Sequence, residues 1–377
     1  MRFVMFYHSL VSDWNHGNAH FLRGVARDLL RRGHDVVVHE PADGWSRSNL
    51  LADHGSEPLD AFARAYPELA GVSQSYADHQ RLDLGDALAD ADVVVVHEWT
   101  PPELIRRIGA YRRRHGHFVL FFHDTHHRAF SDPEALAAID LSAYDGVLAF
   151  GRCLRDVYLA RRWARRAWIW HEAADTTLFA PQIGEPAGDL VWIGNWGDGE
   201  RADELRALLI EPVRALGLRA CVHGVRYPRE ARAALDEAGI EYRGWLPNFD
   251  VPAAFARFRL TVHIPRRPYV EALPGIPTIR PFEALACGIP FISAPWRDEE
   301  GLFSGGDYLT AKDGTEMCLR IEALLSDGDL ATRLSAHGRR TIAARHTCAH
   351  RVDDLLEIVS QLGQREARNL PLAQAAS

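Results

Sequence analysis

Apolar runs alternate with helical segments along most of the chain, in two series. RFVMFYHS opens as a buried strand. The polar loop LVSDWNHGNAH follows, FLRGVARDLLRRGH has helical spacing and ends at Gly33, and DVVVHEP is the next strand. Such a strand–loop–helix–strand unit seeds a doubly wound sheet. ALADADVVVVHEW adds a helix end and a strand, PELIRRIGAYRRRHG a helix and HFVLFFHD a strand. YDGVLAFG, CLRDVYLARRW and ARRAWIWHEAAD carry the series on as strand, helix and strand. The break between the two series falls at APQIGEPAGDL, residues 180–190, whose two prolines and two glycines read as an interdomain linker.

A second series then begins. DLVWIGNW is a strand, ADELRALLIEPVRALG a helix, LRACVHGV a strand and YPREARAALDEAG a helix. IEYRGWLP, VPAAFARFR and LTVHIPRRP continue it, and three amphipathic helices close the chain before the tail EARNLPLAQAAS, which reads as frayed. The expected architecture is α/β, with two Rossmann-like domains at 1–182 and 183–345. A closing helix and tail, 346–377, should pack back on the first domain. A length of 377 residues suits two domains.

The most informative stretch is PTIRPFEALACGIPFIS, residues 277–293. FEALAC opens with a carboxylate, Glu283, and closes at Gly288, a residue suited to a helix C-terminus. GIPFIS then reads as a short buried strand. The expectation is that Glu283 lies in the first turn of a short helix at the carboxyl edge of a sheet, where α/β folds bind ligands. There a carboxylate can accept two hydrogen bonds from a ribose diol, while free N–H groups at the helix start, beside Thr278, face a phosphate.

This stretch resembles the nucleotide-sugar helix of GT-B glycosyltransferases. It is most similar to the large retaining family of glycogen-synthase-like enzymes and to the spore-maturation-type (CgeB-like) branch. In that family two glutamates stand eight positions apart; Glu283 matches the second, and Gly275 occupies the place of the first. Arg280 fits the spore-maturation-type pattern. WIWHEAADTTLFAP is similar to the family's crossover signature at Asp175, Phe179 and Pro181, and YDGVLAFGRCLRDVYL looks like the strand and helix that end its first domain.

The resemblance implies transfer of a glycosyl group, of hexosyl type, from a nucleoside-diphosphate sugar to a hydroxyl acceptor (a glycan, a lipid-linked acceptor or a small molecule), with retention and without metal. No cofactor is implied beyond the sugar nucleotide as substrate. The donor would bind the second domain and the acceptor the first. It also assigns roles. The loop holding His16, Gly17 and Asn18 shapes the acceptor side, and His123 reaches the donor sugar. In GNWGDGER, after Gly194, Asn195 replaces the family's diphosphate-binding arginine and Arg201 stands where its lysine would be.

Each candidate has a plainer reading beside it. The Asn15–His20 loop can be a polar loop with a helix cap. HDTHHR, residues 123–128, could contribute to a metal site or be an ordinary polar loop. His97 and Glu98, after a strand, suit acid–base work or solvated loop positions equally. Arg201 can compensate the leaving group's charge or be a surface residue. Arg266 and Arg267 can clamp phosphate or simply face solvent. Asp90 and Asp92 precede a strand and read as a turn.

Net charge is −8, which gives no reason to expect nucleic acid. RRIGAYRRRHG and ARRWARRAW form basic, aromatic-dotted faces that suit either peripheral contact with anionic lipid or solvated helices. Five cysteines with no C-x-x-C pair argue for a reducing cytosol. MRFVMFYHSL is too short for a signal peptide, and no apolar run approaches the ~20 residues of a membrane span. The expected location is therefore cytoplasmic. Two alternatives remain: a sugar-nucleotide 2-epimerase-like isomerase, and a nucleotide-sugar-binding protein without catalysis.

Overall fold

The two apolar series form two parallel sheets. The computed structural model describes residues 1–369; the tail expected to fray lies, from residue 370, outside the described residues. The first sheet contains β1 (Arg2–Phe6), β2 (Asp35–Pro41), β3 (Ser73–Tyr76), β4 (Val93–His97), β5 (Val119–Asp124), β6 (Gly146–Ala149) and β7 (Ala167–Ile169). Their spatial order is β3-β2-β1-β4-β5-β6-β7. The second contains β8 (Gly188–Ile193), β9 (Ala220–His223), β10 (Glu241–Gly244), β11 (Phe258–His263), β12 (Phe291–Ser293) and β13 (Leu309–Thr310), ordered β10-β9-β8-β11-β12-β13. Parallel strands are covered on both faces, which is why Val93 to Val96 form an unbroken, fully buried run.

Strand order reverses between β1 and β4 in one sheet and between β8 and β11 in the other. Ligand crevices of open α/β sheets form at such reversals, beyond the carboxyl ends of the strands. The loops after these four strands therefore decide what the protein can bind.

Two features depart from expectation. Between β2 and β4 lie helices Trp45–His54 and Glu57–Ala65 and the edge strand β3, none legible from an apolar run. β3 is SQSY, and only Tyr76 of it is buried. The Glu283 helix starts earlier than expected, at Ile279, and runs to Cys287. Pro281 does not prevent this, because N–H groups in a helix's first turn have no helical partner to lose. Glu283 is thus in the second turn, not the first. Gly288 ends the helix in the left-handed conformation, φ +70°.

The domains meet closely. The last helix, Cys348–Asn369, lies on helix Ala19–Arg31 of the first domain. Arg32 there donates to Ala349 O at 3.0 Å, and Trp170 Nε1 to Arg351 O at 2.7 Å. Across the gap, Trp245 Nε1 donates to Asp13 Oδ1 at 3.0 Å, and Asn248 N to Asp13 Oδ2 at 3.1 Å. One apolar cluster runs through both domains, from Phe21 and Phe179 to Phe282 and Phe291.

Candidate functional site

A cavity of about 620 Å³ lies between the carboxyl ends of the two sheets and adjoins a smaller pocket of about 190 Å³. They share Gly17, Asn195, Arg266, Tyr269, Thr278 and Ile279. A larger groove, about 900 Å³, lies between β7 and the last helix, but no loop from the strand-order reversals lines it. Of these three, the chemistry-bearing loops meet at the first two.

The smaller pocket is cationic. Gly194, Asn195, Arg201, Arg266, Thr278 and Arg280 converge on it. Arg201 binds the loop after β8 to the loop after β11: its Nε and Nη2 donate to Asn195 O at 3.1 and 2.6 Å, and its Nη1 to Ile264 O at 2.9 Å. Burial lowers its pKa to about 10, so it stays charged at neutral pH. Arg266 donates to Glu200 Oε2 at 3.2 Å. Arg267 instead lies outside this pocket, its Nη1 held by both oxygens of Glu204 at 3.0 and 2.8 Å.

Thr278 caps the helix start with no side-chain hydrogen bond and has φ +64°, ψ −178°. That region is essentially reserved for glycine, and such strain concentrates at ligand clamps. The free N–H groups at this helix start, with three guanidinium groups nearby, make a site for an anion with two or more charges.

Glu283 itself does not reach either cavity. It is fully buried; Oε1 accepts from Asn248 Nδ2 at 2.7 Å and faces His20 Nδ1 at 3.1 Å, and Oε2 pairs with Arg280. Burial pushes its pKa up, but Arg280, His20 and Asn248 outweigh that and hold it below the usual range. The carboxylate on which the ribose expectation rests is thus engaged by these three side chains. One turn into the helix, the side chain points at the first domain, not at the helix mouth.

The three groups expected to do acid–base work or reach the sugar lie buried behind the cavity wall. His123 is fully buried, pairs through Nδ1 with Tyr7 Oη at 2.6 Å and packs on Trp170. Burial lowers its pKa to about 3. His97 is fully buried, with Nε2 3.1 Å from Thr125 Oγ1. Glu98 accepts from Thr125 N at 3.0 Å and from Arg128 Nε at 3.1 Å, and burial, then Asp124, drive its pKa well up. None of the three lines the cavity. His123 and His97 are still within their strands, so they form the wall behind it. The residues just beyond the strands, Trp99, Thr125, His126 and His127, line the cavity instead.

His16, Gly17 and Asn18 all line the cavity, as does Asn15, which Asn195 reaches from the other domain. Among the described residues no group of three or more His, Cys, Asp or Glu side chains could hold a metal, so HDTHHR forms no such cluster. Asp92 accepts from Arg2 N at 2.7 Å, and Asp90 has φ +55°, as a turn requires.

Several cavity residues escaped the sequence reading, among them Trp45, Trp99, Arg226, Tyr269 and Glu172. Glu172, in HEAAD after β7, is 7% exposed, lines the cavity and accepts from Asn18 Nδ2 at 3.3 Å. Burial raises its pKa to about 8. Its place just beyond the carboxyl end of β7 is the sequence signal that points to it.

The paired sheets facing one cleft are the GT-B fold of glycosyltransferases. Residues 202–357 match the family model described as glycosyl transferase-like. Sucrose-phosphate synthase of Thermosynechococcus elongatus superposes with a TM-score of 0.65 at 15% identity, over 97% of this chain and 100% of that one. Anabaena HepE, solved with UDP and glucose, gives 0.67 at 14%, over 96% and 99%. T4 phage BGT, solved with UDP and Mn2+, gives 0.60 at 11%, over 95% and 99%. At such identities the likeness is one of fold. No curated protein matches the chain in sequence.

Proposed function

We propose that the protein transfers a glycosyl group, of hexosyl type, from a nucleoside-diphosphate sugar to a hydroxyl acceptor. The observation that carries this reading is the cationic pocket at the Thr278 helix start, opening into a larger polar cavity. A diphosphate held by Arg201, Arg266 and the helix N–H groups would leave its sugar facing that cavity. In the reaction the sugar's C1–O bond breaks and its electron pair stays on the diphosphate oxygen. The acceptor hydroxyl oxygen bonds to C1, and its proton passes to the departing diphosphate. Fixed guanidinium groups stabilise the charge that develops there, without needing to reorganise.

Retention and independence of metal belong to the same proposal, as do a cytoplasmic location and domains divided near residue 182. The guanidinium cluster supports the metal-free reading. Five free cysteines suit a reducing compartment, and no helix among the described residues is long and apolar enough to cross a membrane. The basic helix Pro102–His115 has much of its charge paired within the fold, since Arg106, Arg112 and Arg113 face Glu103, Asp145 and Asp140. That weighs toward solvated faces over lipid contact. An isomerase remains the second reading, because Glu172 puts a protonatable carboxyl in the cavity.

The test is incubation with a panel of nucleotide sugars, beginning with UDP-sugars because UDP accompanies several solved neighbours. Release of nucleoside diphosphate that depends on acceptor supports transfer. A changed sugar with no release supports the isomerase, and binding without either change leaves a binding protein.

A further inference from the structure

Six large apolar side chains stand exposed among the described residues, and two of them, Trp45 and Trp99, line the same cavity. They are 43% and 46% exposed. Leaving two indoles in solvent at a polar cleft forfeits the burial that would otherwise stabilise the fold. Trp99 follows β4 and Trp45 follows β2, and these strands flank β1. Two inter-strand spacings, about 10 Å, thus separate the ends of β2 and β4, with Trp99 in the loop after β4 and Trp45 opening the helix after β2.

Both rings are braced. Arg128 lies over Trp99 at 4.5 Å and His126 meets it edge-on at 5.2 Å; Arg226 lies 5.7 Å from Trp45 and Trp14 meets it edge-on at 5.0 Å. A cation on an indole face helps fix the ring as a platform. Between the platforms the lining is hydrogen-bonding and close to charge-balanced. Arg226 pairs with Asp198 and Arg266 with Glu200. Burial lowers His8 to about 4 and His126 to about 2, so both imidazoles are neutral at physiological pH.

A nucleic acid or phosphorylated acceptor would call for unpaired cations, and a lipid chain for a continuous apolar wall. A pyranose has apolar C–H faces and a rim of hydroxyls, which matches flat aromatic platforms set among neutral donors and acceptors. We propose that the acceptor is a neutral carbohydrate whose rings lie on Trp99 and Trp45. This rests on the transferase reading and names its substrate class.

Neutral oligosaccharides of glucose, galactose, mannose and N-acetylglucosamine, screened against the full chain by saturation-transfer NMR, test it. At least one series should bind, with the strongest transfer at ring C–H protons. Trp99→Ala and Trp45→Ala should each weaken that binding at least tenfold and Trp→Phe restore most of it, while nucleoside-diphosphate affinity by calorimetry stays within twofold. Nucleotide binding with no oligosaccharide binding, or preferential binding of phenols or anionic lipid vesicles, overturns the proposal. So does a Trp45→Ala variant that loses nucleotide and keeps glycan. Failure to bind any nucleoside diphosphate sinks the transferase reading instead, whatever the glycans do.

Discussion

His20 Nδ1 lies 3.1 Å from Glu283 Oε1, with both side chains fully buried and each from a different domain. The carboxylate also faces Arg280 and Asn248, so the pair fastens the two domains at the back of the cleft. Removing one member of a buried charged cluster leaves the others undercompensated. Glu283→Gln should therefore lower unfolding stability by about 1.5–3 kcal/mol, the range for a hydrogen bond to a charged group. His20→Ala should lose less, and a double-mutant cycle should return a coupling of about 0.5 kcal/mol or more. Additive effects in urea unfolding would mean the two side chains do not support each other. Because Glu283's folded pKa lies below its unfolded value, its contribution is present above the unfolded pKa and disappears as pH falls through the folded one.

Glu172 gives the opposite dependence. Its carboxyl stays protonated up to about pH 8 in the folded chain, against an ordinary 4.5 unfolded, so folding binds extra proton between those values. Stability should fall as pH rises through that window, and Glu172→Gln should remove that slope. Thermal unfolding of both proteins across pH checks it.

The same protonation makes Glu172 a hydrogen-bond donor at neutral pH. Activity should decline above about pH 8 in the wild type and not in Glu172→Gln, which keeps a neutral donor. Glu172→Ala should lower kcat by about a hundredfold, the low end for a positioned proton-handling group. If Gln lowers turnover as far as Ala does, Glu172 works as an ionised base.

Thr278 holds a backbone conformation that glycine adopts without strain. Thr278→Gly should stabilise the fold by about 1 kcal/mol through strain relief, as read by the urea midpoint. Nucleoside-diphosphate affinity should fall, because the helix mouth is then less rigidly preset.

Arg266 and Arg267 are neighbours with different surroundings. Arg266→Ala should weaken nucleoside-diphosphate binding about tenfold, the loss of one charged hydrogen bond, whereas Arg267→Ala should leave it unchanged. Equal effects of the two would remove the distinction between pocket and surface. Activity should also survive excess chelator; loss that Mg2+ or Mn2+ restores would bring a metal into the reaction.

Much of the fold was legible because its signals are local. The runs at β1, β4, β5 and β8 are apolar without interruption, since a parallel strand is covered on both faces. β3 was not legible: an edge strand with three uncovered residues has no reason to be apolar. The loops that meet at the cleft were readable from the carboxyl-end rule, and His16, Gly17 and Asn18 all line the cavity. Which residue of each loop faces the cleft was not readable. His123 and His126 stand three positions apart in HDTHHR; one is walled in by Tyr7 and Trp170, the other opens on the cavity.

By itself, then, the sequence determined two α/β units and a helix ending at Gly288 beside a cationic loop. These follow from periodicity and backbone preference, which act over a few residues. Only the tertiary structure decided that Glu283 turns toward His20, that Glu172 enters the cavity, and that Trp45 and Trp99 remain in solvent. Those outcomes depend on packing between segments more than a hundred residues apart, as with His20 and Glu283. No local pattern encodes which side of a helix or loop the second domain will cover.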